Sequence, residues 1–187
     1  MDIYNTPDGV DRYFEMSKGY DLSSYKKLFL KYLPAGKSLL ELGMGPGNDF
    51  AWLSEIYQMT GSDYSSEFIV RARKRFPGAD LMILDGISLN TERQFDAVFS
   101  CKVYQHIPLK KLRTALDNQY KILTEKGVII HSFWVGGSET DIEDMQFYYH
   151  DREDLLDLIG TKYTIRETID YKEFEDNDSL LVIGEKR

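Results

Sequence analysis

The chain of 187 residues is short of cysteine, of net positive charge and of long apolar runs. Its single cysteine, Cys101, excludes an internal disulfide and fits a cytoplasmic location, where thiols stay reduced. No apolar run approaches the roughly 18 residues of a membrane-spanning helix, so we expect no interaction with a membrane. The polar, acidic N-terminal segment is also unlike a secretion signal.

Acidic residues outnumber basic ones, with 31 Asp and Glu against 23 Lys and Arg and a formal net charge of −8. Nucleic-acid binding requires clustered positive charge, so this balance argues against a nucleic-acid partner. One basic run, residues 71–75, falls on a predicted helix, where we interpret it as a solvated face. The chain has no repeat and no flexible linker, which predicts a single domain over 1–187.

Glycine recurs at every second position after a short apolar run: Gly43, Gly45 and Gly47 follow residues 39–42. The run predicts a buried strand, and the glycines predict a tight turn that a ligand can approach, since glycine has no Cβ. A strand, such a turn and a helix start together make a nucleotide-type binding site. Glu41 would repel a pyrophosphate and suits a cationic or hydrogen-bond-donating group instead. The alternative is a turn that only connects the strand to the helix.

Strand and helix patterns alternate along the chain, which predicts a doubly wound α/β sheet with helices on both faces. The predicted strands are 38–42, 58–62, 80–84, 95–100, 127–133, 163–171 and 179–185. The predicted helices are 21–32, one capped by Asn48 or Asp49, one capped by Ser65, 109–123 and one capped by Asp151. A polar turn before the last strand predicts an antiparallel hairpin. Ligands of such sheets bind at the C-terminal ends of the strands.

Acidic residues follow two of these strands. Asp63 lies about 20 residues after the glycine turn, where a carboxylate can accept hydrogen bonds from ribose hydroxyls. The alternative is an acid that only serves a turn or a helix cap. Tyr64 offers an aromatic face to a base or sugar. Asp85 and Gly86, after the third strand, suit an exocyclic amine and a closely lying base, or form a simple turn.

The fourth strand is followed by Cys101 and Lys102, whose backbone carbonyls can receive a cationic group. Cys101 has no identifiable His and Asn partners, so we favour an inert thiol over a nucleophile. His106 lies just before the predicted helix 109–123. It is a candidate general base, with a structural role at the junction of loop and helix as the alternative.

Together these motifs resemble those of the class I S-adenosylmethionine-dependent methyltransferases, from about residue 38 to the C-terminus. The stretches that resemble the family's successive motifs are 39–47 (E/D-x-G-x-G-x-G), 61–65, 84–86, 95–100 with 104–107, and 123–130. In the last stretch Glu125 and Lys126 replace the usual Pro-Gly, which alters a turn but no ligand contact.

The resemblance implies a Rossmann-like, mostly parallel seven-stranded sheet with an antiparallel last strand. It also implies S-adenosylmethionine as the cofactor and methyl transfer by direct displacement, with no metal. A sulfonium and an α-ammonium without phosphate match the acidic Glu41 beside the glycine turn. The implied cofactor-binding residues are Glu41, Gly43, Met44, Gly45, Gly47, Asp63, Tyr64, Asp85, Gly86, Cys101 and Lys102.

We expect the acceptor site outside these motifs. Residues 1–37 would form an N-terminal helical cap on the core 38–187, and 134–150 a lid. Both are rich in aromatic residues, of which Tyr20, Trp134 and Tyr148 are candidates for substrate contact, with core filling as the alternative. We expect a small-molecule acceptor and a monomer or homodimer. A protein acceptor, a non-catalytic cofactor-binding module and an NAD-dependent oxidoreductase are the alternatives.

Overall fold

The structure, a computed structural model, describes residues 3–136, 140–142 and 145–187. The α-helices in these residues are α1 (Pro7–Met16), α2 (Lys26–Tyr32), α3 (Asn48–Leu53), α4 (Ser66–Arg75), α5 (Leu109–Ile122) and α6 (Arg152–Gly160). The strands are β1 (Ser38–Leu42), β2 (Gln58–Asp63), β3 (Asp80–Ile83), β4 (Phe95–Ser100), β5 (Leu123–Trp134), β6 (Thr140–Ile142), β7 (Met145–Phe147), β8 (Tyr163–Tyr171) and β9 (Ser179–Lys186). Within the described residues, no helix has the length and apolar character to cross a membrane.

Seven strands form one sheet in the order β3-β2-β1-β4-β5-β9-β8. Neighbouring strands are parallel except at β9, which runs antiparallel to both β5 and β8. The predicted doubly wound sheet with an antiparallel last strand is therefore confirmed. The chain runs outward from β1 to β3 and then crosses to β4, beside β1. The C-terminal ends of β1 and β4, where Leu42 pairs with Ser100, thus meet where the strand order reverses.

Both faces of the sheet are buried under hydrophobic clusters. Successive strand residues point to opposite faces, so neighbours in one strand belong to different clusters. Leu40 belongs to one hydrophobic cluster, which includes Leu112 of α5. Its neighbour Leu39 belongs to the other cluster, with Phe29 of α2 and Leu53 of α3. The two clusters hold the central strands rigidly, so the loops at their C-terminal ends have fixed starting points.

The N-terminal segment differs from the predicted pattern. Helix α1 was not predicted, because the prediction relied on the spacing of apolar residues. The helix-start signal is nevertheless in the sequence, with Thr6 as the N-cap and Pro7 at the first helical position. The Thr6 hydroxyl accepts a hydrogen bond from the Gly9 N–H at 3.2 Å. The predicted helix 21–32 begins as a 3-10 turn and is α-helical only over α2.

The predicted cap of α3 is wrong, since Gly47, in the left-handed conformation with φ of 79°, precedes the helix. Asp49 instead accepts hydrogen bonds from the Leu22 N–H at 2.7 Å and the Trp52 indole at 2.9 Å. Asn48 donates to two backbone carbonyls of the segment after α1, at 2.9 and 3.1 Å. Both side chains therefore fasten the N-terminal segment to the glycine turn.

Part of the predicted lid 134–150 folds as a hairpin of β6 and β7, in which Thr140 pairs with Phe147. Residues 137–139 and 143–144 of this segment lie outside the described residues. The sequence pattern did not predict this hairpin, and closure of the segment over a ligand stays a prediction.

A chain of buried polar groups supports the loop after β4. The Ser100 hydroxyl lies 2.8 Å from Nδ1 of His131, and Nε2 of His131 lies 2.8 Å from Oε1 of Gln119. An amide oxygen only accepts, so Nε2 carries the proton and Nδ1 accepts from Ser100. The Gln119 amide donates to the Tyr104 hydroxyl, which donates to the Gly86 carbonyl at 3.4 Å. This network fixes Tyr104 within the loop.

We predict that His131 stays neutral in the folded protein at pH 5. Burial lowers the pKa of His131 to about 3 from an ordinary 6.5, so the unfolded chain binds the proton first as pH falls. The contribution of neutral His131 to the free energy of unfolding is therefore complete above about pH 6.5. It declines as pH falls towards 3, by at most about 1.4 kcal/mol per pH unit. Ring ¹⁵N NMR should show an Nε2-protonated imidazole; titration near pH 6.5 would contradict the network.

Candidate active site

A cavity of about 600 Å³ opens at the C-terminal edge of β1 and β4. Its walls come from the turn after β1, the loop after β4, the N-terminal segment, Trp134 with Phe147, and the loop between β8 and β9. The predicted cofactor-binding residues that line it are Glu41, Gly43, Met44, Gly45, Cys101 and Lys102. The predicted residues His106, Tyr20 and Trp134 also line it. Gly47, Asp63, Tyr64, Asp85, Gly86 and Tyr148 do not.

The glycine turn requires glycine for reasons of conformation and of space. Gly43, Gly45 and Gly47 have φ values of 61°, 48° and 79°, which L side chains rarely adopt. A Cβ on Gly43 would lie 2.4 Å from Val103, so the turn packs directly against the loop after β4. At Gly45 the nearest atom would be a ring carbon of Tyr13 at 3.5 Å, which leaves this backbone face approachable from the cavity.

Glu41 presents an unpartnered carboxylate oxygen. The residue is 3% exposed, and its Oε2 atom is buried without a hydrogen-bond partner. Burial, together with the charges of Asp49 and Asp63, raises the pKa of the Glu41 carboxyl well above its usual range. A ligand that brings a cationic donor such as an ammonium would satisfy this oxygen.

Asp63 holds the turn from behind. One carboxylate oxygen accepts from the Gly45 N–H and the other from the Ser65 N–H, both at 2.9 Å. These bonds give Asp63 a structural role in the turn, and its ribose role stays a prediction. Asp85 accepts from the N–H groups of Ile87 and Ser88, as expected for the simple turn that was the alternative.

The N-terminal segment crosses the cavity at Tyr4. Its ring packs edge-on against Tyr13, Tyr64 and His106, with ring centroids 5.5, 6.3 and 5.6 Å away. The Tyr4 hydroxyl lies 3.3 Å from Nε2 of His106, and the Ser65 hydroxyl donates to the Tyr4 carbonyl. Tyr4 thereby links the ends of β2 and β4.

The loop after β4 contributes four side chains to the cavity. Burial raises the pKa of the Cys101 thiol well above its usual range, which agrees with an inert thiol rather than a nucleophile. Lys102 has a left-handed backbone with φ of 56°, and its N–H donates to the Ser132 hydroxyl at 3.0 Å. Gln105 is 3% exposed, and its Oε1 atom is buried without a partner. His106 packs against Phe147 with ring centroids 4.7 Å apart.

An ion pair joins this loop to the opposite wall. The Lys102 ammonium pairs with the Glu173 carboxylate and lies 3.1 Å from the centroid of the Tyr20 ring. Glu173 also accepts from the Trp134 indole N–H at 2.9 Å. The structure thus brings the predicted residues Lys102, Tyr20 and Trp134 together around a glutamate that the sequence did not single out.

Comparisons with known proteins agree with this geometry. Residues 39–127 match a family model described as a methyltransferase domain. A methyltransferase structure from Clostridium acetobutylicum ATCC 824 aligns with a TM-score of 0.78 at 14% identity, over 96% of this chain and 98% of that one. Magnesium protoporphyrin IX methyltransferase from Synechocystis PCC 6803, with bound S-adenosylmethionine, aligns with a TM-score of 0.76 at 16% identity. The alignment covers 100% of this chain and 94% of that one. The sugar N-methyltransferase KedS8 from Streptoalloteichus sp ATCC 53650 aligns with a TM-score of 0.75 at 16% identity. The alignment covers 95% of this chain and 92% of that one.

Residues 39–127 of the chain are therefore similar to a methyltransferase domain, and the fold is that of the aligned methyltransferases. Two features of this chain fit S-adenosylmethionine, the molecule bound in the aligned Synechocystis structure. The unpartnered Glu41 carboxylate suits the ammonium of the methionine portion, and the approachable backbone at Gly45 suits close contact.

Two parts of the methyltransferase site were missed or misplaced by sequence reasoning. Glu173 lies in the loop between β8 and β9, which opens at the same edge of the sheet as the loops after β1 and β4. That topology was predictable, but nothing in the residue pattern distinguished Glu173 from its acidic neighbours. Tyr148 does not line the cavity, and its N–H donates to the Gln105 carbonyl at 2.7 Å.

We predict that Glu41→Gln stabilises the methyltransferase at pH 7 in the absence of cofactor, by about 1 kcal/mol or more. Because burial raises the folded pKa of Glu41 above 4.5, the loss of stability begins as pH rises above 4.5 and is complete above the folded pKa. The gain should shrink as pH falls towards 4.5. Urea unfolding measures it, with the exposed Glu55→Gln as the matched control. A destabilised Glu41→Gln at pH 7 would contradict the unpartnered carboxylate.

Proposed function

We propose that this methyltransferase acts on a small-molecule acceptor by direct displacement. The observation that carries the proposal is the cavity itself, because its volume lies in the range of small-molecule sites and the N-terminal segment covers it. Aromatic side chains of Tyr20, Trp134 and Phe147 line one end, which suits a partly apolar acceptor. The aligned porphyrin and sugar methyltransferases are named for small-molecule substrates.

The residues that would hold the cofactor divide into two sets. Glu41 and the backbone around Gly45 would hold the methionine portion. Asp63 would hold the ribose, with Tyr64 and Asp85 towards the base. When bound, the cofactor supplies an electrophilic methyl group on a sulfonium. The chain supplies alignment, which can account for about 7–11 kcal/mol of the barrier.

His106 is the proposed general base for an acceptor that must lose a proton. It lines the cavity on the loop after β4, and its Nε2 faces the Tyr4 hydroxyl. Tyr4 and Phe147 hold the imidazole ring from two sides. A positioned imidazole of this kind needs no further group to accept the proton.

We predict that the wild-type chain binds S-adenosylmethionine in calorimetry and that Asp63→Asn weakens this binding by about 1–3 kcal/mol, through loss of charge-assisted hydrogen bonds. Asp117→Asn is the matched control, since Asp117 is a surface carboxylate that pairs with Lys162. Unchanged affinity in Asp63→Asn would refute the ribose assignment. Cofactor binding without methylation in a broad small-molecule panel would favour a protein acceptor or a non-catalytic module.

We predict that His106→Ala lowers kcat for a hydroxyl or amine acceptor by about 10²–10⁴-fold while cofactor affinity changes little. Tyr4→Phe removes only the hydroxyl that faces His106, so its effect on kcat should be much smaller. Single-turnover kinetics with any acceptor found in the panel provides the measurement. A normal rate for His106→Ala would leave His106 with a structural role only.

A further inference from the structure

The acceptor end of the cavity contains a buried ion pair. The side chains of Lys102 and Glu173 are 17% and 6% exposed. Removing two charges from water lowers stability, and the attraction between the charges does not reliably recover that loss. A pair placed in the wall of a binding cavity is therefore better explained by what it offers to a ligand than by stability.

Glu173 already receives hydrogen bonds at both carboxylate oxygens. One oxygen pairs with Lys102, and the other accepts from the Trp134 indole at 2.9 Å and the Ser179 hydroxyl at 3.4 Å. The Glu173 N–H is fixed as well, since it donates to Asp178 at 2.8 Å. Glu173 is thus held in place by its neighbours, and its capacity to accept from a ligand is nearly used.

The Lys102 ammonium retains hydrogen-bond donor capacity towards the cavity. An ammonium has three N–H donors. One is directed at Glu173, and the nitrogen lies 3.1 Å from the centroid of the Tyr20 ring. The left-handed backbone of Lys102, held by Ser132, aims the side chain at this position. The wall therefore presents a positioned cation with a donor to spare.

A second observation points to a ligand in the same cavity. Oε1 of Gln105 is buried without a partner, on the same loop as Lys102. A buried amide oxygen of this kind lowers the stability of the fold unless a donor reaches it. Trp134 and Phe147, which line the same cavity, stack with ring centroids 5.0 Å apart and planes inclined by 30°. These features suit a flat acceptor that carries an N–H or O–H group.

We propose that the acceptor is a small aromatic carboxylate with a hydroxyl or amino substituent, bound through its carboxylate to the Lys102 ammonium and through its donor to Gln105. This inference rests on the proposed small-molecule function and names the class of acceptor. Glu173, Tyr20 and Trp134 are positioning residues for Lys102. A cationic amine bound to Glu173 is the competing arrangement, which the donors already on Glu173 disfavour.

The test compares three probes that share one ring: 3-hydroxybenzoate, 3-hydroxybenzamide and 3-hydroxybenzylamine. Each is titrated by calorimetry into the chain saturated with S-adenosylhomocysteine. We expect 3-hydroxybenzoate to bind at least about tenfold more tightly than the other two, as charge-assisted hydrogen bonds predict. Lys102→Met should abolish this preference and leave the amide affinity unchanged, whereas Lys102→Arg should retain it. The surface variant Lys162→Met is the charge-matched control.

Removal of one member of a buried ion pair can unfold a protein. If Lys102→Met fails to bind S-adenosylhomocysteine, the double variant Lys102→Met/Glu173→Met removes both charges, and the same loss of preference is expected. Gln105→Leu should separately remove the advantage of 3-hydroxybenzoate over benzoate. No preference for the carboxylate in the wild type, or a preference for the amine, would overturn the inference. Failure of the wild type to bind S-adenosylhomocysteine would instead refute the proposed function.

Discussion

One carboxylate, that of Asp63, ties together the parts of the chain on which the site depends. It accepts from the N–H of Gly45 and from that of Ser65, so it fixes both the glycine turn and the start of α4. Ser65 in turn binds the carbonyl of Tyr4, which holds the N-terminal segment across the cavity. A Cβ at Gly43 would clash with Val103, which lies in the loop after β4 and packs against the turn. The geometry of the site is therefore set at the meeting point of β1, β2 and β4.

The same region carries the polar groups that the fold leaves incompletely satisfied. Glu41 and Gln105 each bury an oxygen without a partner, and Lys102 and Glu173 form a buried ion pair in the cavity wall. By contrast, the network through His131 away from the cavity is fully hydrogen-bonded. Unsatisfied groups lower stability, so their concentration around one cavity is typical of a binding site. Their chemistry, a carboxylate on Glu41 and a cation with an amide oxygen on Lys102 and Gln105, agrees with the proposed cofactor and acceptor roles.

Much of this fold could be predicted from the sequence because local signals and tertiary structure agree. The strand over 95–100 and the helix caps at Ser65 and Asp151 are found as predicted. Prediction from the sequence failed where a side chain contacts a residue that is distant along the chain. Asn48 or Asp49 was predicted to cap α3, but Asp49 accepts a hydrogen bond from Leu22 in the segment before α2. Glu173 pairs with Lys102 from the loop between β8 and β9. Such contacts depend on the folded arrangement and leave no periodic pattern in the chain.

The most direct test of the account is a crystal structure of the chain with S-adenosylhomocysteine. We expect the amino group of the ligand within hydrogen-bonding distance of Glu41, its homocysteine portion along the backbone at Gly45, and its ribose at Asp63. We also expect the thioether sulfur to face the end of the cavity formed by Lys102 and Trp134. A ligand bound away from the C-terminal edge of β1 and β4, or with its amino group remote from Glu41, would contradict the central claim.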